Sequence, residues 1–345
     1  MTRWSPAAAL IAAFVPACGA ADEPCDVRTE ACTLEHDFGA VTAAPHAEVD
    51  GICLSWTIGN TDDLWVNSVA ADNDGYFHHS NWVWVPDNRW ELPDGAWDCA
   101  ENQFNELAAA VFGGVLFAQS TQSVAEEQRF ADGAAVRVPP YARIIAYSHI
   151  LNAGDAEVST NMRVALGTIP PDRVAVQLAP FRFNYSDLDI PAMATAEHTG
   201  DCELAGPLER ATGAPFRLDL YYLLPHYHVL GSGFRVEYSG GPRDGDTVVD
   251  LEGAYAEPLG QSFDPPIDVA AAGATGLRFT CEHVNPRGKD VGYGIGDQEM
   301  CVALGFADSG AKFDAAVDET TDASARADGT FTRGGRCTVA GVRLE

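Results

Sequence analysis

Short runs of β-forming residues, separated by turn residues, recur along nearly the whole chain. Residues 51–58, 76–85 and 141–150 are such runs, and the turn signal at residues 72–75 directly precedes the second one. The 33 glycines and 20 prolines agree with this pattern of short elements. A length of 345 residues with 46% hydrophobic content supports one large or two ordinary domains with packed cores. We therefore predict an all-β protein.

The charge of the chain is strongly acidic. Lys and Arg together number 21 and Asp and Glu number 50, which gives a net charge of −29. Such a surface repels nucleic acid and anionic lipid, so neither is an expected partner. Solubility alone is a sufficient explanation for the charge.

The first 24 residues have the pattern of an export signal. Arg3 supplies a short positive start, and residues 7–15 form an apolar core that is too short to span a bilayer. Residues 15–18 are similar to a lipobox, with Cys18 as the lipidated residue, while ordinary cleavage near Ala20 remains an alternative. No other segment of the sequence is a candidate membrane span. We expect an exported protein, either a periplasmic or cell-envelope lipoprotein or a secreted one.

The cysteine count agrees with export. Nine cysteines are present, and removing Cys18 leaves eight, an even number that suits an oxidising compartment. The absence of a C-x-x-C motif argues against a zinc knuckle or a thioredoxin-type site. We interpret residues 25–47 as a polar N-terminal lead in which Cys25 and Cys32 close a small disulfide loop.

An H-x-H motif, His226 and His228, is flanked on both sides by β-forming residues. On a strand, residues i and i+2 share a face, so the two imidazoles would point to the same place and form a pair of metal ligands. The motif alone is weak, because two histidines on a half-exposed strand give the same pattern.

His78 and His79 follow the turn at residues 72–75. Adjacent side chains on a regular strand point to opposite faces, so both can bind one metal only where the backbone is irregular, as at a strand start or bulge. Otherwise one of them is a core histidine and the other lies on the surface. His149, near the end of the run at 141–150, becomes a ligand candidate only if it meets another pair in space.

A proline-punctuated region at residues 169–191 suggests a domain boundary near 178. We therefore predict domains at 48–178 and 179–345. In the second, a Gly-rich segment leads into a strand that carries Met300 and Cys301, whose side chains would point to opposite faces. The acidic, Ala-rich residues 308–330 are expected to form a solvated excursion.

The order His-His, distant His, H-x-H and then Asp-Gln-Glu-Met-Cys at residues 297–301 resembles the copper type II, ascorbate-dependent monooxygenases. These include peptidylglycine α-hydroxylating monooxygenase and dopamine β-monooxygenase. The resemblance covers most of residues 48–345. It implies two tandem jelly-roll-like β-sandwich domains, stapled by disulfides, with one copper in each domain and an open cleft between them.

The resemblance also assigns residues. His78, His79 and His149 match the ligands of the electron-donating copper. His226, His228 and Met300 match the ligands of the catalytic copper, at which dioxygen binds and substrate is hydroxylated. Imidazole suits both copper oxidation states and a thioether favours Cu(I). The implied disulfides are Cys53–Cys99, Cys202–Cys337 and Cys281–Cys301, which leaves Cys25 for Cys32.

Three positions depart from the peptidylglycine branch. Leu224 stands where that branch has an Arg that grips the substrate carboxylate, and Val302 and Leu304 lack its polar groups. We therefore expect a more apolar or aromatic small molecule rather than a peptide with a C-terminal glycine.

The sequence thus predicts an exported, monomeric dicopper monooxygenase that hydroxylates a C–H bond of a small organic substrate with O2 and an ascorbate-like reductant. The alternative is a non-catalytic envelope copper-binding or chaperone protein. A third interpretation is a disulfide-stapled surface lipoprotein whose histidines are incidental. The remaining histidines are expected to be structural or exposed: His36, His46, His198 and His283.

Overall fold

The structure, a computed structural model, describes residues 25–119, 123–251, 253, 258–294 and 296–344. The export signal predicted at 1–24, with Cys18, lies outside these residues. Within the described ranges, no helix is long and apolar enough to cross a membrane. The strands form two β-sandwiches in tandem, which confirms the predicted fold class.

The first sandwich contains two sheets that face each other. Its strands are β1 (Cys32–Ala43), β2 (Glu48–Thr57), β3 (Leu64–Asn73), β4 (Phe77–Pro86), β5 (Gly95–Asp98), β6 (Gly114–Gln119), β7 (Ala125–Arg129), β8 (Ala134–Val138), β9 (Ala142–Leu151), β10 (Val158–Ile169) and β11 (Val176–Gln177). One sheet has the order β1-β10-β3-β8-β11, with β7 also paired to β3, and the other has the order β5-β2-β9-β4-β6. These strands pair antiparallel except for β11, which pairs in parallel with β8. Apolar residues on the inward faces form the core, among them Leu54, Trp82, Ile144 and Leu166.

The second sandwich follows directly. Its strands are β12 (Ala179–Tyr185), β13 (Asp189–Ile190), β14 (Ala194–Glu203), β15 (Asp219–His226), β16 (Gly231–Ser239), β17 (Thr247–Asp250), β18 (Gln261–Asp268), β19 (Gly276–Asn285), β20 (Val291–Gly292), β21 (Val302–Asp308), β22 (Ala311–Val317), β23 (Asp322–Ala325), β24 (Phe331–Arg336) and β25 (Thr338–Arg343). The two large sheets are β18-β15-β21-β12-β22-β25 and β17-β16-β19-β14-β24-β23, and β13 pairs with β20. Phe183, Phe234 and Phe279 pack between the sheets.

Two short helices in the described part of the chain are capped by the residues at their ends. In α1 (Glu106–Phe112), the side chain of Asn105 accepts a hydrogen bond from the backbone N–H of Ala108, which satisfies one free donor of the first turn. α2 (Ala205–Thr212) ends at Gly213, whose φ of 70° is the left-handed conformation that glycine adopts without strain. A single 3-10 turn at Pro171–Arg173 precedes β11.

All four predicted disulfides form. They are Cys25–Cys32, Cys53–Cys99, Cys202–Cys337 and Cys281–Cys301. The last bridge joins β19 to the segment that enters β21. Four disulfides are typical of an oxidising compartment, which agrees with an exported protein.

The two sandwiches share an apolar interface. Tyr222 and Leu224 of β15 and Phe306 of β21 belong to the core cluster of the first sandwich. The ring of Phe130 meets those of Phe306 and Tyr222 edge to face, at centroid distances of 5.2 and 6.4 Å. The ammonium group of Lys312 also donates hydrogen bonds to carbonyls at the C-terminal end of α1. These contacts hold the two domains against each other.

Two segments predicted to lie outside the sheets are strands. Within the expected lead at 25–47, β1 pairs along its length with β10 and forms an edge of the first sandwich. Within the expected excursion at 308–330, β22 lies between β12 and β25 and buries alternate residues. Both predictions were wrong. In β22 two of the four buried residues are alanines, which weakens the hydrophobic alternation, and in β1 a register shift between Asp37 and Ala40 interrupts it.

The disulfides close loops of different lengths, which predicts how much each one contributes to the free energy of unfolding. Cys202–Cys337 spans 135 residues and Cys25–Cys32 spans 7. Loop-closure entropy gives about 5 kcal/mol for the long loop and about 2 kcal/mol for the short one. We expect the Cys202→Ser/Cys337→Ser variant to lose about twice as much free energy of unfolding in urea as the Cys25→Ser/Cys32→Ser variant. Equal losses would contradict this expectation.

Candidate metal centre

A β-bulge at the start of β4 places His78 and His79. Phe77 pairs with Ile150 and His79 pairs with His149, so His78 is an additional residue in β4. Tyr76, with a φ of 72°, leads the chain into this bulge from the preceding turn. An extra residue rotates the backbone locally and lets two consecutive side chains reach the same side. The irregular backbone that two adjacent ligands require is therefore present.

His149 lies opposite this bulge on β9. The ligand nitrogens of His78, His79 and His149 all lie within 4.8 Å of one another. Nδ1 of His78 is 3.1 Å from Nδ1 of His79, and the three ring centroids are 5.0 to 5.3 Å apart. On its other side His149 pairs with Asp50 of β2, where β2 also shifts register. The structure thus brings the three predicted ligands of the first set together.

Of the three imidazoles, that of His149 is buried, whereas those of His78 and His79 are half-buried and lie against each other. His149 is 5% exposed, and among the described residues neither of its ring nitrogens has a hydrogen-bond partner. Oε1 of Glu48 lies 3.0 Å from Nε2 of His149 but outside hydrogen-bonding geometry. Burial, with a smaller effect of neighbouring imidazoles, lowers the pKa of His78 to about 4 and that of His79 to about 2. These rings are neutral at physiological pH, the state that binds a metal ion.

The second set begins at the end of β15. His226 is the last residue of this strand, Tyr227 points into the core, and His228 lies in the connection to β16. The strand is therefore shorter than the H-x-H prediction assumed. The side chains of His226 and His228 nevertheless lie on the same side, as on a strand: their rings meet edge to face with centroids 5.3 Å apart. Burial lowers the pKa of His226 to about 3.

Residues 298–300 hold His228 from the other side. Nδ1 of His228 is 2.8 Å from the carbonyl oxygen of Gln298. The carboxylate of Glu299 accepts hydrogen bonds from the backbone N–H groups of His228 at 2.7 Å and of Met300 at 3.3 Å. The main chains of His228 and Met300 therefore meet at one carboxylate. Burial raises the pKa of Glu299, and the backbone N–H donors oppose that rise.

The two sets are in contact. The ring centroid of His79, in the first sandwich, lies 5.5 Å from that of His226, in the second. The five histidines thus form one continuous cluster across the domain junction. At the contact between His79 and His226, the described residues leave no open cleft of the kind that the resemblance implies. The apolar interface of Phe130, Tyr222 and Phe306 holds the domains together there.

The three positions that depart from the peptidylglycine branch belong to the same packed region. Leu224 is 2% exposed in the shared core and pairs across the strands with Leu304, while Val302 pairs with His226. Leu304 packs partly buried against the same core. Leu224 and Val302 are buried and Leu304 is partly buried, so these three side chains offer little surface to the expected apolar substrate.

The other histidines lie outside the cluster, as expected. His36 stacks on Trp56 with the rings 3° from parallel, and His46 lies exposed beside Asp155. His198 and His283 are fully buried, and burial lowers their pKa values to about 4 and about 3.

Sequence reasoning missed Glu48, whose carboxylate lies beside His149, and the supporting residues Gln298 and Glu299. The last two stand in the quoted segment before Met300, yet their role depends on β15 and β21 being neighbours. That pairing was not predicted. A carboxylate directly before a candidate methionine ligand was the available signal for Glu299.

Comparisons with known proteins assign no family. No family model and no curated protein matches the chain. PNGase F, a glycosylasparaginase from Flavobacterium meningosepticum, aligns with 79% of this chain and 97% of its own, at 6% identity and a TM-score of 0.34. A protein from Parabacteroides distasonis that is described as secreted aligns with 80% of this chain and 89% of its own, at 9% identity and a TM-score of 0.25. Likenesses at this level carry no argument about activity.

The lowered pKa values predict how stability depends on pH. Unfolded histidine binds a proton near pH 6.5, whereas His79 and His226 stay neutral in the folded state to about pH 2 and about pH 3. The unfolded state therefore gains protons first, so the free energy of unfolding falls as pH drops below about 6.5. Each group contributes at most about 1.4 kcal/mol per pH unit.

Urea unfolding of the metal-free protein at pH 7.5, 6.5 and 5.5 measures this dependence. We expect the slope to be smaller in the His79→Asn variant than in the parent. A slope that does not change on this substitution would contradict the buried, neutral state of that ring.

Proposed function

We propose that this chain is an exported copper-dependent monooxygenase that hydroxylates a C–H bond of a small organic substrate. The observation that carries this proposal is the convergence of two ligand sets, one from each sandwich, in a single cluster of buried and half-buried histidines. Among the described residues, the two ring nitrogens of His149 are buried without a hydrogen-bond partner, which is costly unless something binds them, and a metal ion supplies that compensation.

Each set would hold one copper ion. His78, His79 and His149 would hold the first, and His226, His228 and Met300 would hold the second, where the thioether favours the reduced ion. Copper, when bound, supplies one-electron redox chemistry and reactivity toward O2. The overall reaction balances as substrate C–H, O2, two electrons and two protons giving the alcohol and water, with an ascorbate-like reductant as the source of the electrons.

The chain itself contributes three things to this chemistry. The His79–His226 ring contact provides a short path through protein between the two sets. The interdomain core shields the cluster from water on one side. The lowered pKa values of His78, His79 and His226 remove competition from protons at these three rings down to pH values well below neutral.

Location and assembly follow the same proposal. The exported chain would work in the periplasm or cell envelope with a lipid anchor at Cys18, or free after cleavage. A monomer is sufficient, because both ligand sets come from one chain.

A second candidate is a copper-binding or chaperone protein without oxygenase activity. The burial of Leu224 and Val302 beside the cluster favours it, because a hydroxylase must admit a substrate near its second set. The same ligands serve both functions, so only turnover separates them.

Ascorbate-driven O2 uptake distinguishes the monooxygenase from the copper-binding or chaperone protein. We expect the copper-loaded, desalted protein to consume O2. The His149→Ala variant lacks one ligand of the electron-donating set, so we expect it to consume O2 at least about tenfold more slowly while it keeps copper at the second set. The matched control is His46→Ala, an exposed histidine outside the cluster. A parent that holds two copper ions but consumes no O2 would favour the binding protein, and a fully active His149→Ala variant would contradict the role of the first set.

A further inference from the structure

We infer that Glu299 is a positioning residue of the second ligand set, which holds the His228 loop and the Met300 segment in one fixed arrangement. The inference rests on the proposed function, because it concerns how the second set is built. Glu299 is 1% exposed, whereas most glutamates lie in water. A buried carboxylate persists only where hydrogen bonds compensate its lost hydration.

The partners of Glu299 are backbone donors from two separate segments. Oε2 accepts from the N–H of His228 at 2.7 Å and of Met300 at 3.3 Å, and Oε1 accepts from the N–H of Leu230 at 2.7 Å. The residues between β15 and β16 lack a strand partner at these N–H groups. The side chain therefore supplies the acceptors that a sheet would otherwise provide.

Only a carboxylate satisfies this arrangement. Both of its oxygens accept, and both face N–H donors. Glutamine has one acceptor oxygen and one NH2 group, so one end of its amide would place a donor against a donor. The Glu299→Gln variant keeps the size and shape of the side chain and loses at least one of these bonds.

The neighbouring carbonyl fixes the chemistry of His228. A carbonyl oxygen only accepts, so the 2.8 Å contact with Gln298 requires that Nδ1 of His228 carries the proton. Nε2 is then the nitrogen with a free lone pair. A hydrogen bond of this kind selects the tautomer and orientation of a metal-binding imidazole. Glu299 maintains this contact because it ties the His228 backbone to the adjoining residue.

The Met300 end of this arrangement is anchored independently. Nε2 of His283, which is fully buried, lies 3.2 Å from the carbonyl oxygen of Met300. The Cys281–Cys301 disulfide fixes the next residue to β19. The His228 loop, in contrast, depends on residues 298 and 299, so removing the carboxylate should disturb His228 more than Met300.

The first experiment uses the metal-free protein. Two-dimensional 15N NMR of the histidine rings reports which nitrogen of His228 is protonated. We expect the parent to hold a single tautomer with the proton on Nδ1, and Glu299→Gln to give a mixture of tautomers. The matched control is Asp297→Asn, an exposed carboxylate in the same loop that pairs with Lys289. A single unchanged tautomer in Glu299→Gln would overturn the inference.

The second experiment measures copper. In a His149→Ala background, we expect Glu299→Gln to weaken Cu(I) binding at the second set by about 10–100-fold and to reduce the imidazole contribution in copper X-ray absorption more than the sulfur contribution. Unchanged affinity and imidazole signal would overturn the inference. If Glu299→Gln does not fold, Glu299→Asp keeps the charge but is one methylene shorter, and a smaller change in the same direction is expected.

The two experiments separate this inference from the proposed function. A changed tautomer in a protein that never consumes O2 would support the role of Glu299 and reject the monooxygenase. O2 uptake by the parent, together with an unaltered His228 tautomer and copper affinity in Glu299→Gln, would support the monooxygenase and reject the role of Glu299.

Discussion

The contact between His79 and His226 is the interaction on which the rest of the site depends. Their ring centroids lie 5.5 Å apart although the residues belong to different sandwiches. Burial keeps both rings neutral, so they approach without charge repulsion. The apolar interface around Phe130 and Phe306, together with the hydrogen bonds of Lys312, holds the domains together and so maintains this contact. Domain packing and ligand geometry are therefore one property of this molecule.

A different structural feature positions the histidines in each half of the cluster. In the first sandwich a bulge in β4 turns two consecutive histidines toward His149, and the sheet itself fixes their positions. In the second sandwich the strand ends at His226, so His228 depends on the buried carboxylate of Glu299 and on the carbonyl of Gln298. The sheet-based half needs no further support, whereas the loop-based half is the one that substitutions outside the ligands can disturb.

Much of the architecture could be predicted from local signals. The strands around His149, the turn before His78 and the need for an irregular backbone there follow from periodicity and turn chemistry. The all-β class followed from the strand and turn pattern, whereas the two tandem sandwiches and the three disulfide pairs other than Cys25–Cys32 followed from the resemblance. The strand β22 was missed because its inward alanines give little hydrophobic contrast, and β1 was missed because a register shift interrupts its alternation. The closed junction and the role of Glu299 could not be predicted, because both depend on long-range pairing that neighbouring residues do not encode.

The account requires two metal sites, one on each side of the domain junction. Crystals of the copper-loaded protein, measured on both sides of the copper absorption edge, would locate every bound ion directly by anomalous scattering. We predict two peaks, one among His78, His79 and His149 and one beside His226, His228 and Met300. A single peak shared by both sets, or no peak at the cluster, would contradict the account.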